Sequence, residues 1–148
     1  MKNKSKIMWP SNFTDRLAAF SNLRIQSKDL PLEQALADIN AWWFSAPWCQ
    51  YYLHWDDAET WPDPWELLND DTYCELARGL GILYTISMME HKDLTSAELV
   101  LTEEGYNLVL VNQGIYTLNW ENNNIVNNLQ IEKIQRQFTL AEVNQRYN

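Results

Sequence analysis

Two stretches decide the fold: residues 72–89, TYCELARGLGILYTISMM, and residues 97–120, AELVLTEEGYNLVLVNQGIYTLNW, because the apolar period changes between them. In the first, Tyr73, Leu76, Ala77, Leu80, Leu83, Tyr84 and Met88 recur at three- and four-residue steps, the repeat of one helix face. Asp70 or Asp71 is expected to cap its start. Gly79 and Gly81 each weaken such a helix by about 1 kcal/mol relative to Ala, which points to close packing against another element. In the second stretch the period becomes two. AELVLT, YNLVLV and IYTLNW read as strands separated by the turn-forming EEG and NQG. Alternation in the middle strand puts Tyr106, Leu108 and Leu110 on one face and Asn107, Val109 and Val111 on the other.

Working outward, IVNNLQIEKIQ (125–135) supplies a further strand, and TLAE (139–142) is a capping-box pattern that starts a terminal helical turn. Upstream, WPDPWELL (61–68) opens a short helix with Asp63 as cap, Pro64 at the first position and Glu66 closing a capping box. Residues 31–44 form another helix with Leu32, Leu36, Ile39 and Trp43 on one stripe. The expected class is α+β: a helical N-terminal half with a buried central helix (about 72–89) packed on a small antiparallel sheet (about 97–135). The length of 148 residues, without repeat or linker, suits a single domain over 1–148. Residues 1–8 read as a basic, flexible arm carrying Lys2, Lys4 and Lys6.

The net charge of −9 repels phosphate backbones and anionic lipid, so neither nucleic acid nor membrane is an expected partner, except nucleic acid through the Lys2, Lys4 and Lys6 arm. No apolar run approaches the roughly 18 residues of a membrane span, and the lysine-rich start lacks the apolar region of a secretory signal. Cys49 and Cys74 form no CxxC and no metal spacing with His54 or His91. Asp56, Asp57, Asp63, Asp70 and Asp71 lack an EF-hand spacing, and turn or capping roles account for most of them. No metal or cofactor is expected, and a reduced, intracellular location is.

The run WPDPWELLNDDTYCELARGLGILYTI resembles the bacterial and phage transglutaminase-like cysteine peptidases. In that family a W-x-x-P-x-E/D segment precedes a buried helix that begins with the nucleophilic Cys, followed by an acidic residue and an Ala-rich face. Cys74, Glu75 and Ala77 occupy those positions, and NLVLVNQGIYTLNW is similar to the family's His-bearing and Asp-bearing strands. The resemblance covers residues 61–120. The position it implies for the base holds Asn107, the position for the orienting carboxylate holds Asn119, and the usual Gly-Asp before the nucleophile reads Thr72-Tyr73. Asn neither takes nor gives a proton at neutral pH, so the Cys lacks the partner that activates a thiol. His91 follows Cys74 by 17 residues of helix, about 25 Å, and is out of reach. His54 reaches Cys74 only if the Trp-rich loop folds back over the start of the helix, and is expected as a partly buried polar anchor beside aromatics. Cys74 is expected in the first helical turn, largely buried, with Asn107 as its nearest strand neighbour.

Six Trp (42, 43, 48, 55, 61 and 65) fall within 24 positions. They wedge between helices in the core, form a contact surface for a protein partner, or divide between the two. Trp42, Trp48, Trp55, Trp61 and Trp65 are the candidate binding residues. The texture WWF-x-APW-x-x-YYLH-x-DD with WPDPW-x-LL also resembles small proteins of tailed phages, which implies a virion component of tail, neck or baseplate, located in the virion or host cytoplasm. The expectation is therefore a non-catalytic structural or adaptor protein acting through protein–protein contacts. The alternatives are a transglutaminase-like cysteine peptidase or amidase using Cys74, and a small acidic regulator that binds a host protein.

Overall fold

The helix at the centre is α4, Glu75–Met89, and the computed structural model, which describes residues 8–121, 125–131 and 133–147, builds everything else around it. Before it come α1 (Phe13–Lys28), α2 (Leu32–Phe44), a 3-10 segment (Trp55–Thr60) and α3 (Pro64–Leu68). After it come β1 (Ala97–Thr102), β2 (Asn107–Val111), β3 (Tyr116–Leu118), β4 (Val126–Asn127), β5 (Ile134–Thr139) and α5 (Leu140–Tyr147). The strands form an antiparallel sheet in the order β4-β3-β2-β1-β5. The class is α+β, with helices packed against a small sheet.

The two helical glycines explain how α4 sits between its neighbours. A Cβ on Gly81 would lie 2.5 Å from the Trp43 ring of α2, and one on Gly79 would lie 2.7 Å from Leu99 of β1. The close approach inferred from Gly79 and Gly81 is therefore present on two sides, one helix and one strand. Trp43 lies across Gly81 and its indole N–H donates to Thr85 Oγ1 at 2.9 Å, which locks the ring that fills the gap. Leu99, Val109, Val111 and Leu118 face this core, while Val100, Leu108 and Leu110 form a second cluster on the other face under Leu129 and Ile131. The face assignment of the middle strand holds, and both faces are covered.

Local sequence chemistry appears where expected at two helix starts. Asp63 and Glu66 close a capping box with Pro64 at the first position of α3. Thr139 and Glu142 do the same at α5. Two expectations change, and a third difference is a helix the sequence reading does not contain. First, α4 starts at Glu75, and its cap is Cys74 rather than Asp70 or Asp71. The cause is a parallel bridge: Tyr73 N–H donates to Pro47 O at 2.8 Å and Cys49 N–H to Tyr73 O at 3.0 Å, which holds the chain extended up to Cys74. Second, the strand expected over 125–135 divides into β4 and β5, and the sheet runs on to Thr139. Asn128 turns the chain with a positive φ of 54°, and Leu129 and Ile131 then cover the sheet instead of extending it. Third, α1 has no counterpart in the apolar pattern, since its buried positions are Arg16, Phe20 and Ser27.

The basic arm with Lys2, Lys4 and Lys6 lies outside the described residues. No helix among those described is long and apolar enough to cross a membrane.

Candidate functional site

Cys74 marks the end of α4 that the family resemblance singles out, and the thiol there is buried, 3% exposed. Its Sγ accepts two backbone N–H groups, from Ala77 and from Leu53, each at 3.4 Å. The first contact is the helix cap. The second shows that the Trp-rich loop does fold back over the helix start. His54, next to Leu53, is nonetheless exposed rather than partly buried, and its ring stacks on Tyr51 with centroids 6.4 Å apart. No hydrogen bond joins His54 or any other base to Cys74 among the described residues. His91 is buried at the far end of α4; its Nε2 bonds Leu30 O at 2.6 Å and its Nδ1 accepts from Asp93 N–H at 3.0 Å, so the proton sits on Nε2.

Asn107 and Asn119 both come to this end of α4, but neither bonds the thiol. The hydrogen bonds of Asn107, the strand residue expected beside Cys74, go to Glu75 and Trp55. Its N–H and its Nδ2 donate to Glu75 Oε1 at 2.6 and 3.1 Å, and its Oδ1 accepts from the Trp55 indole at 2.8 Å. The reason is the helix start: with Cys74 as cap, Glu75 is the first helical side chain, and its carboxylate meets the first residue of β2.

Asn119 is more heavily engaged. Its Nδ2 donates to Glu75 O at 3.0 Å and to Asn107 O at 2.8 Å, and its Oδ1 accepts from Arg78 Nε at 2.6 Å. Its backbone N–H donates to Asn40 Oδ1 at 2.9 Å, and Asn40 Nδ2 donates to Glu121 O at 2.7 Å. Two carbonyls on one side and a guanidinium on the other leave a single amide orientation that satisfies every atom. Asn119 also has φ of 67°, a left-handed conformation that Asn tolerates better than most residues. The network positions Arg78.

Arg78 is half-buried, one turn after Cys74. Its guanidinium lies 3.7 Å from the centroid of the Phe44 ring and 5.4 Å from that of Trp48. Burial holds its pKa below the usual arginine value, against opposing contributions from Glu75 and Cys74. Sequence reasoning missed Arg78 and Asn40. The available signals were a lone cation on an apolar helix and an Asn beside the Leu36–Trp43 stripe.

The five tryptophans expected as binding residues divide between core and surface. Trp42 and Trp61 are core residues, 7% and 5% exposed. Trp42 packs on Trp9, Phe20 and Trp43, with ring centroids 4.5, 6.1 and 5.2 Å away, and Trp61 packs between Trp55 and Phe138 at 5.1 and 5.3 Å. Trp55 is half-buried. Trp48 and Trp65 remain outside, 57% and 44% exposed, with Tyr51 and Tyr52 exposed beside Trp48 in sequence. Trp65 borders a pocket of about 290 Å³ that Tyr84, Met88, Val143 and Tyr147 also line.

Among the described residues no three His, Cys, Asp or Glu side chains converge as a metal ion would need. No family model, curated protein or solved structure matches the chain.

Proposed function

We propose that this chain works by contact and not by catalysis, as a structural or adaptor protein for other proteins. The observation that carries the reading is the use made of the positions a cysteine peptidase would need. Cys74 caps a helix, Asn107 braces Glu75 and Trp55, and Asn119 aims Arg78. Each side chain is committed to holding the α4–sheet junction, and among the described residues no base is hydrogen-bonded to the sulfur. A general base normally contributes about 10²–10⁴-fold, so a thiol without one gives little turnover. The exposed Trp48, Tyr51, Tyr52 and Trp65 then offer large, stiff aromatic area to a partner. The resemblance to tailed-phage proteins gives the proposed setting, a virion tail, neck or baseplate.

The test separates fold from association. Trp48→Ala and Trp65→Ala, checked by thermal melting, are each expected to leave stability within about 1 kcal/mol while lowering incorporation into purified particles by about 30-fold or more. Trp42→Ala and Trp61→Ala are expected to cost about 3–5 kcal/mol of stability. Full incorporation of a folded Trp48→Ala, Trp65→Ala double variant would overturn the contact reading.

A further inference from the structure

Arg78 has more donors than the fold uses. Of its five N–H bonds, the one on Nε goes to Asn119 Oδ1. Among the described residues Nη1 and Nη2 have no hydrogen-bond partner, and neither is sealed from solvent. The ion pair the described residues form is Arg136–Asp56, elsewhere on the surface. Glu75 lies on the same helix, yet its Oε1 takes both Asn107 donors and it makes no ion pair with Arg78. A half-buried guanidinium without a bonded carboxylate is unusual in a chain with 20 acidic and 11 basic residues.

The cation is also held in place. Phe44 lies against the guanidinium plane, Asn119 fixes its Nε edge, and Asn40 fixes Asn119. Side-chain entropy is thereby lost on folding and not on binding, which raises the return from any ligand contact. With Nε occupied, the free edge is the Nη1–Nη2 end of the fork, whose two parallel N–H bonds match the two oxygens of one carboxylate. Trp48, 57% exposed and 5.4 Å from the guanidinium, supplies an apolar wall beside it. The net charge of −9 disfavours a polyphosphate far more than a single carboxylate.

We infer that Arg78, braced by Asn119 and Phe44 and flanked by Trp48, is a receptor for a carboxylate presented by a protein partner. The inference rests on the contact reading, and names the chemistry of that contact. The carboxylate comes from an acidic side chain or from a chain terminus.

The full chain is titrated, at constant ionic strength, with four probes while the Arg78 Nε–H and Trp48 indole N–H resonances are followed. The probes are N-acetyl-glutamate N-methylamide, its neutral glutamine counterpart, N-acetyl-leucinate and inorganic phosphate. A glutamate response that saturates on the order of 1 mM, with none from the glutamine probe, is expected. A response to N-acetyl-leucinate alone would place the carboxylate at a chain terminus and equally support the site. Arg78→Lys, which keeps charge but loses the fork, is expected to weaken binding about tenfold. Trp48→Ala, at an exposed position, is expected to weaken it about threefold and guards against misfolding of the Arg78 variant. Equal or better binding of phosphate, or silence at both resonances with every probe, would overturn the carboxylate assignment. Carboxylate binding with full particle incorporation of Trp48→Ala, Trp65→Ala would sink the contact reading and leave the site standing; silence to every probe with lost incorporation does the reverse.

Discussion

Arg16 and Arg78 are both withdrawn from water on helices, and they are treated in opposite ways. Arg16, 8% exposed on α1, spends its donors on four backbone carbonyls: Nε on Pro10 at 2.8 Å, Nη1 on Leu68 and Asp70 at 3.1 and 3.0 Å, and Nη2 on Ser11 at 3.3 Å. It ties the chain before α1 to the carbonyl end of α3, where a helix leaves acceptors unmatched. Arg78 makes a single hydrogen bond, to the side-chain oxygen of Asn119, and its Nη1 and Nη2 donors are left unbonded and open to solvent among the described residues. A buried cation that closes its own network is a structural tie. One that the fold orients but leaves open is available to something else.

The largest expected effect follows from removing the closed network. Arg16→Met keeps the volume but takes the donor from the Pro10, Ser11 and Leu68 carbonyls, while Asp70 O keeps the Tyr73 hydroxyl, and is expected to cost about 3 kcal/mol, or about 10 °C in the melting midpoint. Gly81→Ala drives a methyl into the Trp43 ring and should cost about 1–2 kcal/mol by urea denaturation, after allowing for the better helix propensity of Ala. Arg78→Gln removes the hydrogen bond to Asn119 and the guanidinium contact with Phe44, and is expected to cost about 1 kcal/mol in the same assay. A loss at Arg78 as large as that at Arg16 would erase the contrast between the two.

The smallest effect concerns Asp70, whose backbone carbonyl Arg16 holds. Burial raises its carboxyl pKa above the ordinary value, opposed by a hydrogen bond from Tyr52, whose own pKa is pushed up to about 12. The folded chain therefore keeps this proton at a pH where the unfolded chain has released it. The stabilising contribution is full below the unfolded value and is lost as pH rises through the folded one. Asp70→Asn should remove that fall, so between acid and neutral pH the variant gains on the wild type by about 1–2 °C in melting midpoint. A gain in the other direction would mean the charged carboxylate is favoured in the fold.

Much of this was readable in the sequence wherever the cause is local. The Asp63–Glu66 and Thr139–Glu142 capping boxes, the sheet faces set by alternation, and the close approaches at Gly79 and Gly81 depend on neighbours a few residues away or on a missing Cβ. Helix α1 was missed because Arg16 and Ser27 occupy two of its buried positions, which hides the apolar period. The tryptophans could not be sorted from spacing, since Trp42 is buried by Trp9, 33 positions earlier, and Trp61 by Phe138, far later. The α4 site depends on the same kind of distance. Asn40, Arg78 and Asn119 meet across separations of 41 and 79 residues, and no local pattern announces that Asn119 adopts a left-handed turn.

The most direct test of the central claim is the rate at which each cysteine of the native protein is alkylated by iodoacetamide at pH 7, followed by mass measurement of Cys74→Ser and Cys49→Ser beside the wild type. Half-buried Cys49 is expected to react first, and Cys74 only as fast as the chain unfolds, because its sulfur is enclosed and receives Leu53 and Ala77 N–H groups without a base. Rapid labelling that disappears in Cys74→Ser and persists in Cys49→Ser would show an activated thiol, and would return Cys74 to the role of nucleophile.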